Sequence, residues 1–266
     1  MGSNTKIEWT DHTFNLVHGC TKVSPACDYC YAESWDSRHL YSTESHWGPQ
    51  APRLKLSDSY WKTPLGWNST AARKGQKLKV FCSSMADVFE EHADLESERL
   101  KLWPLIEQTP NLIWQLLTKR PHNIMRMIPA RWATQCPENI WAMTTAENQT
   151  WFDARARHLK SVPAKVLGFS CEPLLGPIDF GSTFDGIDPR RVWIIAGGES
   201  SKTEAKCRPT RYEWFAALRD QCQQRGIAFL FKQWGNRHED GAYTNSKSYR
   251  LLDGREWNAF PAAGLT

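Results

Sequence analysis

The sequence predicts an α/β protein built on a full or partial (β/α) barrel, and three observations support this fold class. Short, continuously apolar runs of strand length alternate with helical patterns from residue 78 onward, which is typical of a parallel sheet buried on both faces. Seven candidate strands are present, close to the eight of a closed barrel. The length of 266 residues is also usual for one barrel domain.

The candidate strands follow from the apolar runs. The first is FNLV, at 14–17, ahead of the first cysteine. The other six are rich in β-branched, aromatic and other apolar residues, which indicates buried strands. They span 78–84, 111–119, 139–145, 165–171, 191–198 and 227–234.

Helical patterns fill several of the intervals, at 31–41, 95–108, 121–128, 151–159 and 212–225. Gly226 follows the last of these and predicts its end. The segment at about 42–77 contains an aromatic stretch punctuated by Pro and Gly with weak periodicity, which predicts an insertion or lid. Residues 235–266 predict a loop and a short C-terminal extension. We therefore expect one barrel domain over residues 1–266.

Composition restricts the class of protein. With 41% hydrophobic and 23% charged residues, the chain has the composition of a folded globular protein, which excludes disorder as its main state. No run approaches the roughly 18 apolar residues of a membrane-spanning helix, and the N-terminal residues show no signal region. We expect a cytoplasmic protein with no membrane partner.

The net charge of +4 permits contact with a polyanion without indicating a dedicated nucleic-acid tail.

Three of the eight cysteines, Cys20, Cys27 and Cys30, lie within eleven residues. In a chain without a secretory signal, this spacing predicts metal or cluster ligation rather than disulfides. Three thiolates on one loop can hold three irons of a 4Fe-4S cluster and leave the fourth iron open to an exogenous ligand. A structural zinc site is the alternative. It would need a fourth ligand, for which His12 and His18 are candidates.

Polar residues gather at the predicted carboxyl ends of six strands. That edge carries the functional site in parallel α/β folds, because the loops there surround one opening. Helix capping by Ser and Thr is the alternative explanation for any single position, but it does not easily account for all six. The polar residues at these ends are Ser83, Ser84, Asp87, Thr118, Lys119, Arg120, Thr144, Thr145, Glu147, Ser170, Glu172, Gly197–Ser200, Lys232 and Gln233.

The cysteine loop resembles that of radical S-adenosylmethionine (radical SAM) enzymes, because an aromatic residue, Tyr29, directly precedes the last cysteine. Its spacings of six and two residues differ from the three-then-two pattern usual in that superfamily. Nearly the whole chain more closely resembles a phage-associated, radical-SAM-like family described by its three-cysteine motif. The matching segments, in order, are KIEWTDHTFNLVHGCTKVSPACDYCYAE, VFCSSMADVFEEH, LLTKRP, FSCEPLLGPI, WIIAGGES and FLFKQWG.

Several segments are also similar to the spore photoproduct lyase family, radical SAM enzymes that repair a thymine lesion in DNA. This resemblance implies a barrel of the radical SAM type in which Lys119 binds the carboxylate of S-adenosylmethionine. It further implies that Ser83, Ser84, Thr144 and Thr145 hold the amino and ribose groups. We also expect Asp87, Ser170 and Glu172, at the same strand ends, to bind the cofactor. Lysine and serine suit this ligand, since its methionine moiety needs a cation for the carboxylate and acceptors for the ammonium group.

The implied activity is radical chemistry. A 4Fe-4S cluster, reduced by a donor such as flavodoxin or ferredoxin, would cleave S-adenosylmethionine to a 5′-deoxyadenosyl radical that abstracts hydrogen from a substrate. Cys82 and Cys171 lie at or beside strand ends and are candidates for returning a hydrogen atom, with core packing as the alternative.

The pointers to a substrate are fewer. Fourteen Trp and seven Tyr residues, together with Arg53, Lys55, Arg73, Lys74 and Lys77, predict either a stacking and phosphate-binding surface or packing of core and lid. The resemblance to a DNA lesion lyase favours a nucleic acid or nucleotide, and thus DNA repair or modification.

The sequence Gly197-Gly198-Glu199 echoes a cofactor-binding motif of radical SAM enzymes, but it follows a different strand. We therefore predict only a tight turn there, with Glu199 as a candidate substrate or ribose contact.

Two functions of other classes stay open. One is a zinc-stabilised nucleic-acid-binding module, and the other is a phage-encoded interaction protein without catalysis.

Overall fold

The computed structural model describes residues 5–38, 44–201, 203–244 and 249–264. Seven strands of the described chain form one sheet, and two further strands form an antiparallel pair. In chain order the strands are β1 His12–Phe14, β2 Val17–His18, β3 Leu54–Lys55, β4 Leu78–Cys82, β5 Leu112–Thr118, β6 Ile140–Thr145, β7 Val166–Cys171, β8 Val192–Gly197 and β9 Ala228–Gln233. The order in the main sheet is β1-β4-β5-β6-β7-β8-β9, so its strands follow the chain.

Helices alternate with these strands, as the apolar periodicity predicts. They are α1 Tyr31–Asp36, α2 Asp58–Trp61, α3 Thr63–Arg73, α4 Ala93–Gln108, α5 Ile124–Met127, α6 Gln149–Leu159 and α7 Tyr212–Arg225. Local chemistry fixes their ends: the side chain of Asn148 accepts from the Trp151 N–H at the start of α6, and Gly226 (φ +67°) ends α7 in the left-handed region. The predicted α/β class is confirmed.

The chain divides into two compact units. The first comprises the described residues of Met1–Ala142 and Val162–Lys165, and the second those of Met143–Ser161 and Val166–Thr266.

In the first unit, β1, β4 and β5 run parallel, with His12 beside Val80 and Val80 beside Trp114. Phe14 lies at the centre of the aromatic core. Its ring centroid is 5.1 Å from that of Trp61 and 5.5 Å from that of Trp114.

The segment at 42–77 is more regular than its weak periodicity predicts, because it holds β3, α2 and α3. Trp61, Trp67 and Ala71 are buried, so this segment packs as the connection between β1 and β4. The periodicity is weak because α2 has only four residues and α3, with Pro64 in its first turn, begins two residues after α2 ends. Residues 39–43, at the start of the predicted insertion, lie outside the described residues.

In the second unit, β7, β8 and β9 run parallel and bury a phenylalanine cluster that includes Phe152, Phe169 and Phe184. The C-terminal extension has little regular structure, but it lies along the edge of β9. The N–H of Phe231 donates to the Trp257 carbonyl at 2.9 Å, and the N–H of Ala259 donates to the Phe229 carbonyl at 3.1 Å. These bonds cover backbone groups that an edge strand would otherwise expose.

The six apolar runs from residue 78 onward all form strands within their predicted spans, but the first predicted strand is wrong. The structure replaces a strand at 14–17 by β1, which ends at Phe14, and β2, which begins at Val17. Asn15 separates them, because its side chain accepts from the Met85 N–H at 2.7 Å and its N–H donates to the Tyr60 hydroxyl at 2.9 Å. The chain then leaves the main sheet, and β2 pairs with β3.

Two predicted helices are shorter than expected. The helix predicted over 31–41 ends at Asp36, where the side chain accepts from the N–H of His46; the last residues of the prediction lie outside the described part. The helix predicted over 121–128 begins as a 3₁₀ turn at Pro121–Asn123, and α5 supplies only four residues. In the described part of the chain, no helix has the length and apolar character required to cross a membrane.

Candidate functional site

The cysteine loop follows β2 in the first unit. It begins at Gly19, which has φ +122° and whose N–H donates to the Met85 carbonyl at 2.9 Å. A Cβ atom here would collide with the carbonyl oxygen of His46, so the close approach of this backbone requires glycine. Cys27 ends a 3₁₀ turn and is buried, while Cys30 immediately precedes α1 and is half-buried.

Asp87, in the loop after β4, organises the end of β5. Its Oδ1 atom accepts from the Thr118 hydroxyl at 2.6 Å and the Phe89 N–H at 3.0 Å. Its Oδ2 atom accepts from the Lys119 N–H at 3.0 Å and from Arg120 Nη1 at 2.9 Å. Four donors therefore occupy a carboxylate predicted to bind cofactor, and they fix the backbone of Lys119 and the guanidinium of Arg120.

Arg120 connects this strand end to the cysteine loop. Its Nη2 atom donates to the Thr21 carbonyl at 2.7 Å, and its Nη1 atom lies 3.8 Å from Cys20 Sγ. Burial by itself lowers the pKa of the guanidinium, but Asp87, Cys20 and Glu90 raise it to a net value above the ordinary one. The side chain is therefore a permanent cation. Burial, followed by the carboxylates of Asp87 and Glu90, raises the pKa of the Cys20 thiol to about 12.

A second buried arginine supports the same loop. Arg53 donates from Nε and Nη2 to both oxygens of Glu90, at 3.1 and 2.9 Å, and from Nη2 to the Thr21 hydroxyl at 3.0 Å. Its Nη1 atom donates to the carbonyls of His46, Gly48 and Ala51. The sequence left Arg53 with two alternatives, a stacking and phosphate-binding surface or packing; only 4% of it is exposed, so packing is the one that applies to this residue.

The segment after β4 is bound to residues before and after the cysteine loop, Asn15 ahead of β2 and Tyr31 at the start of α1. The Asn15 Nδ2 atom donates to the Ser84 hydroxyl at 3.2 Å, and the Tyr31 hydroxyl donates to the Ser84 carbonyl at 2.8 Å. Ser83 is buried, with Oγ 3.3 Å from Cys82 Sγ. The structure thus brings the predicted serines, the Lys119 strand end and the cysteine loop together within one unit.

Lys119 differs from its neighbours, because its ammonium group has no hydrogen bond or ion pair to any residue that the structure describes. The side chain is half-buried, while its backbone is fixed by Asp87. An ammonium group without a protein partner remains available to an anionic ligand. The site therefore suits a carboxylate or another anionic group.

The remaining predicted cofactor ligands lie in the second unit. Ser170 donates to Glu172 Oε2 at 3.2 Å, and Lys232 Nζ lies 3.0 Å from Glu172 Oε1. A Cβ at Gly197 would lie 2.5 Å from that same oxygen, so the carboxylate rests directly against the backbone of β8. Thr144 and Thr145, at the end of β6, are both buried, and the Thr144 hydroxyl donates to the Thr145 carbonyl at 3.4 Å.

The predicted turn at Gly197-Gly198-Glu199 forms a close contact with the end of β9. A Cβ on Gly198 would collide with the Trp234 carbonyl, so only glycine fits there. Glu199 is 7% exposed, and Arg208 binds both of its carboxylate oxygens through the guanidinium. This ion pair already occupies Glu199, which the sequence offered as a substrate or ribose contact.

Cys82 and Cys171, the candidate hydrogen-atom donors, are both fully buried. Burial raises the pKa of the Cys82 thiol to about 12. Burial, together with Glu172 and Glu147, also raises the pKa of Cys171. Both thiols keep their proton at neutral pH.

The donor set of the cysteine loop is three thiols. Among the residues that the structure describes, no three His, Cys, Asp or Glu side chains converge closely enough to hold one metal ion. The cysteines of a cubane cluster each bind a different iron and therefore lie further apart than the ligands of one ion. His12, a candidate fourth zinc ligand, instead stacks on Trp67 with ring centroids 4.3 Å apart. Burial lowers the pKa of His18, the other candidate, which favours the neutral imidazole that binds a metal, so His18 stays a candidate zinc ligand. The three-thiol donor set fits a 4Fe-4S cluster with one open iron.

The basic residues predicted to contact nucleic acid do not lie at this site. Arg73 ends α3, and Lys74 and Lys77 precede Leu78, at the amino end of β4. Parallel strands carry their site residues at the opposite, carboxyl edge. Lys55 lies on β3, and its Nζ atom is 3.9 Å from Glu98 Oε1, so a carboxylate is already close to this cation.

Solved structures of spore photoproduct lyase match this fold. A double mutant with bound AdoMet and dinucleoside spore photoproduct is 13% identical, with a TM-score of 0.59 over 88% of this chain and 79% of that chain. The lyase complexed with dinucleoside spore photoproduct matches equally well, at 13% identity and a TM-score of 0.59 over the same shares. A single mutant is 14% identical, with a TM-score of 0.57.

These similarities confirm the predicted architecture, an α/β fold of the barrel type found in spore photoproduct lyase. Residues 4–261 match the model of a family described as a protein of unknown function, DUF5131, and the chain belongs to that family. No curated protein is significantly similar to it in sequence.

Proposed function

We propose that this chain is a radical SAM enzyme in which Cys20, Cys27 and Cys30 hold a 4Fe-4S cluster. S-adenosylmethionine would bind the open iron through its amino and carboxylate groups. When reduced by a donor such as flavodoxin or ferredoxin, the cluster supplies the electron that cleaves S-adenosylmethionine and yields a hydrogen-abstracting 5′-deoxyadenosyl radical. The fold shared with spore photoproduct lyase supports this class of reaction.

The observation that carries the proposal is the ammonium of Lys119, which has no partner among the residues that the structure describes. One carboxylate, that of Asp87, fixes both the Lys119 backbone and Arg120, and Arg120 contacts Cys20. The strand end that presents a cation is therefore tied to the first cluster ligand. Lys119 would bind the carboxylate of S-adenosylmethionine, and the neighbouring Ser83 and Ser84 would contact its amino and ribose groups.

Thr144, Thr145, Ser170 and Glu172 stay cofactor ligands predicted from the sequence. We also propose that Cys82 or Cys171 returns a hydrogen atom after abstraction, because a thiol donates hydrogen only in its protonated form. The burial that raises the pKa of both thiols keeps them in that form.

For the substrate we propose a nucleic acid or nucleotide, and hence a reaction of DNA repair or modification. The support is that the structural neighbours include complexes with dinucleoside spore photoproduct. A cytoplasmic setting and a phage association stay predictions from the sequence.

Metal analysis of protein purified without oxygen tests the cluster. We expect about four irons and four sulfides per chain, and loss of both in Cys27→Ala and in Cys30→Ala. Cys136→Ala is the matched control, because Cys136 is a buried cysteine of the same unit outside the loop, and it should retain the full content. One zinc without sulfide would contradict the proposal and favour a zinc-stabilised nucleic-acid-binding module.

A further inference from the structure

The guanidinium of Arg120 is directed at the sulfur of Cys20, a proposed cluster ligand, but the proposed reaction assigns Arg120 no chemical step. Its Nη1 atom lies 2.9 Å from Asp87 Oδ2 and 3.8 Å from Cys20 Sγ. Its Nη2 atom donates to the Thr21 carbonyl at 2.7 Å and lies 3.4 Å from Glu90 Oε1. The guanidinium thus contacts the sulfur and the backbone of the adjacent residue.

The position of this cation is fixed by alternating buried charges. Arg53 binds Glu90, Glu90 contacts Arg120, and Arg120 binds Asp87. All four side chains are at most 9% exposed, so solvent screens them little. The planar guanidinium cannot rotate away from Cys20 without breaking its bonds to Asp87 and Thr21.

A nearby arginine shows that burial alone does not require this orientation. Arg99, in α4 of the same unit, is 8% exposed and donates from Nη1 to the carbonyls of Val88 and Glu90, at 3.2 and 2.8 Å. It serves the backbone of the same loop that holds Asp87 and Glu90, yet no cysteine is among these partners.

We propose that Arg120 raises the reduction potential of the cluster, through its positive charge and its N–H group directed at Cys20 Sγ. Reduction adds one negative charge, which a fixed cation stabilises, and hydrogen bonds to cluster sulfurs are a recognised determinant of potential. Arg120 is thus a positioning and electrostatic residue that makes the first electron transfer easier. This inference rests on the proposed cluster.

The test is a redox titration of the reconstituted protein, followed by electron paramagnetic resonance without S-adenosylmethionine. In Arg120→Gln we expect the ratio of reduced to oxidised cluster at a fixed potential to fall about tenfold, equivalent to about 59 mV for one electron. Arg120→Lys keeps the charge but not the planar fork, so a fall of about threefold is expected. Arg99→Gln is the matched control and should leave the ratio unchanged.

The potentials measured for these variants decide whether Arg120 tunes the cluster. A wild-type potential in Arg120→Gln, or an equal shift in Arg99→Gln, would overturn the inference. If Arg120→Gln assembles no cluster, a wild-type potential in Arg120→Lys would overturn it instead. Failure of the wild-type protein to assemble iron and sulfide would refute the proposed function itself, and iron analysis separates that result from the others.

Discussion

At the scale of single residues, the site depends on Asp87. Its four donors come from its own loop and from the end of β5, about thirty residues later in the chain. Asp87 sets where Lys119 and Arg120 lie, and it has no acceptor position left that lacks a donor. Its role is therefore to place two cations, and removing it would leave both without their anchor.

Replacing Lys119 by Ala should weaken binding of S-adenosylmethionine at least tenfold, because a charge-assisted hydrogen bond contributes about 1.5–3 kcal/mol. Equilibrium binding to the reconstituted protein measures this, and iron content should stay at the wild-type level. Lys79→Ala is the control, since Lys79 lies near the amino end of β4 and pairs with Asp11. Equal affinity in Lys119→Ala and the wild type would refute the assigned role.

The buried thiol of Cys82 predicts a pH dependence of stability. Its pKa rises from 9.0 to about 12 on folding, because the folded state disfavours the thiolate. The stabilisation linked to this shift is fully present below pH 9 and is lost as pH rises toward 12. Between pH 9 and 11 the linked loss is about 1.4 kcal/mol per pH unit.

Denaturant unfolding of the wild type and Cys82→Ala across pH 8–11 measures this effect. The variant has a lower free energy of unfolding at pH 8, because it loses buried atoms. The difference between the two proteins should shrink as pH rises. Parallel curves over the whole range would show that Cys82 does not titrate as its burial implies.

At the scale of elements, the cysteine loop depends on a glycine that the fold cannot replace. Gly19 and Gly48 have nearly the same φ, +122° and +120°, but of these two positions a Cβ atom would meet packed atoms only at Gly19. Gly19→Ala should lower the free energy of unfolding by about 2 kcal/mol more than Gly48→Ala, because only the first adds a collision to the shared backbone strain. Thermal or denaturant unfolding gives both values. Equal losses of unfolding free energy in the two variants would mean that the loop accommodates a Cβ atom at Gly19 without strain.

Most elements could be predicted from the sequence because their signals are local. Six apolar runs form strands, and α7 ends at the predicted glycine. The predictions fail where contacts between residues distant in sequence determine the ends of an element. Asn15 ends β1 because it binds Met85, seventy residues away. The helices at 58–73 depend on burying Trp61 and Trp67, and four-residue helices carry no periodicity to detect.

The candidate site shows the same division. The three cysteines and the strand-end Lys119 are visible as spacing and position in the sequence. The partners of Arg53 are not, because Glu90 lies 37 residues away and nothing local distinguishes a buried arginine from an exposed one. For Arg120, the sequence shows only that the residue follows Lys119 at the end of a predicted strand. That position does not predict the contact between its guanidinium and Cys20.

At the scale of the whole molecule, the C-terminal extension completes the second unit by covering β9. Ala259→Pro removes the N–H that donates to Phe229, so we expect a lower unfolding temperature and more aggregation on heating. Light scattering during a thermal ramp measures both. Ala259→Ser keeps the N–H and is the control. Identical behaviour of the two variants would show that the backbone bond does not matter.

Reductive cleavage of S-adenosylmethionine is the reaction proposed for this chain. The most direct measurement is the formation of 5′-deoxyadenosine and methionine by anaerobic, cluster-loaded protein after reduction with dithionite. We expect both products in equal amounts, and none in Cys30→Ala. A wild-type protein that carries a fully reduced cluster, binds S-adenosylmethionine and releases neither product would contradict the account.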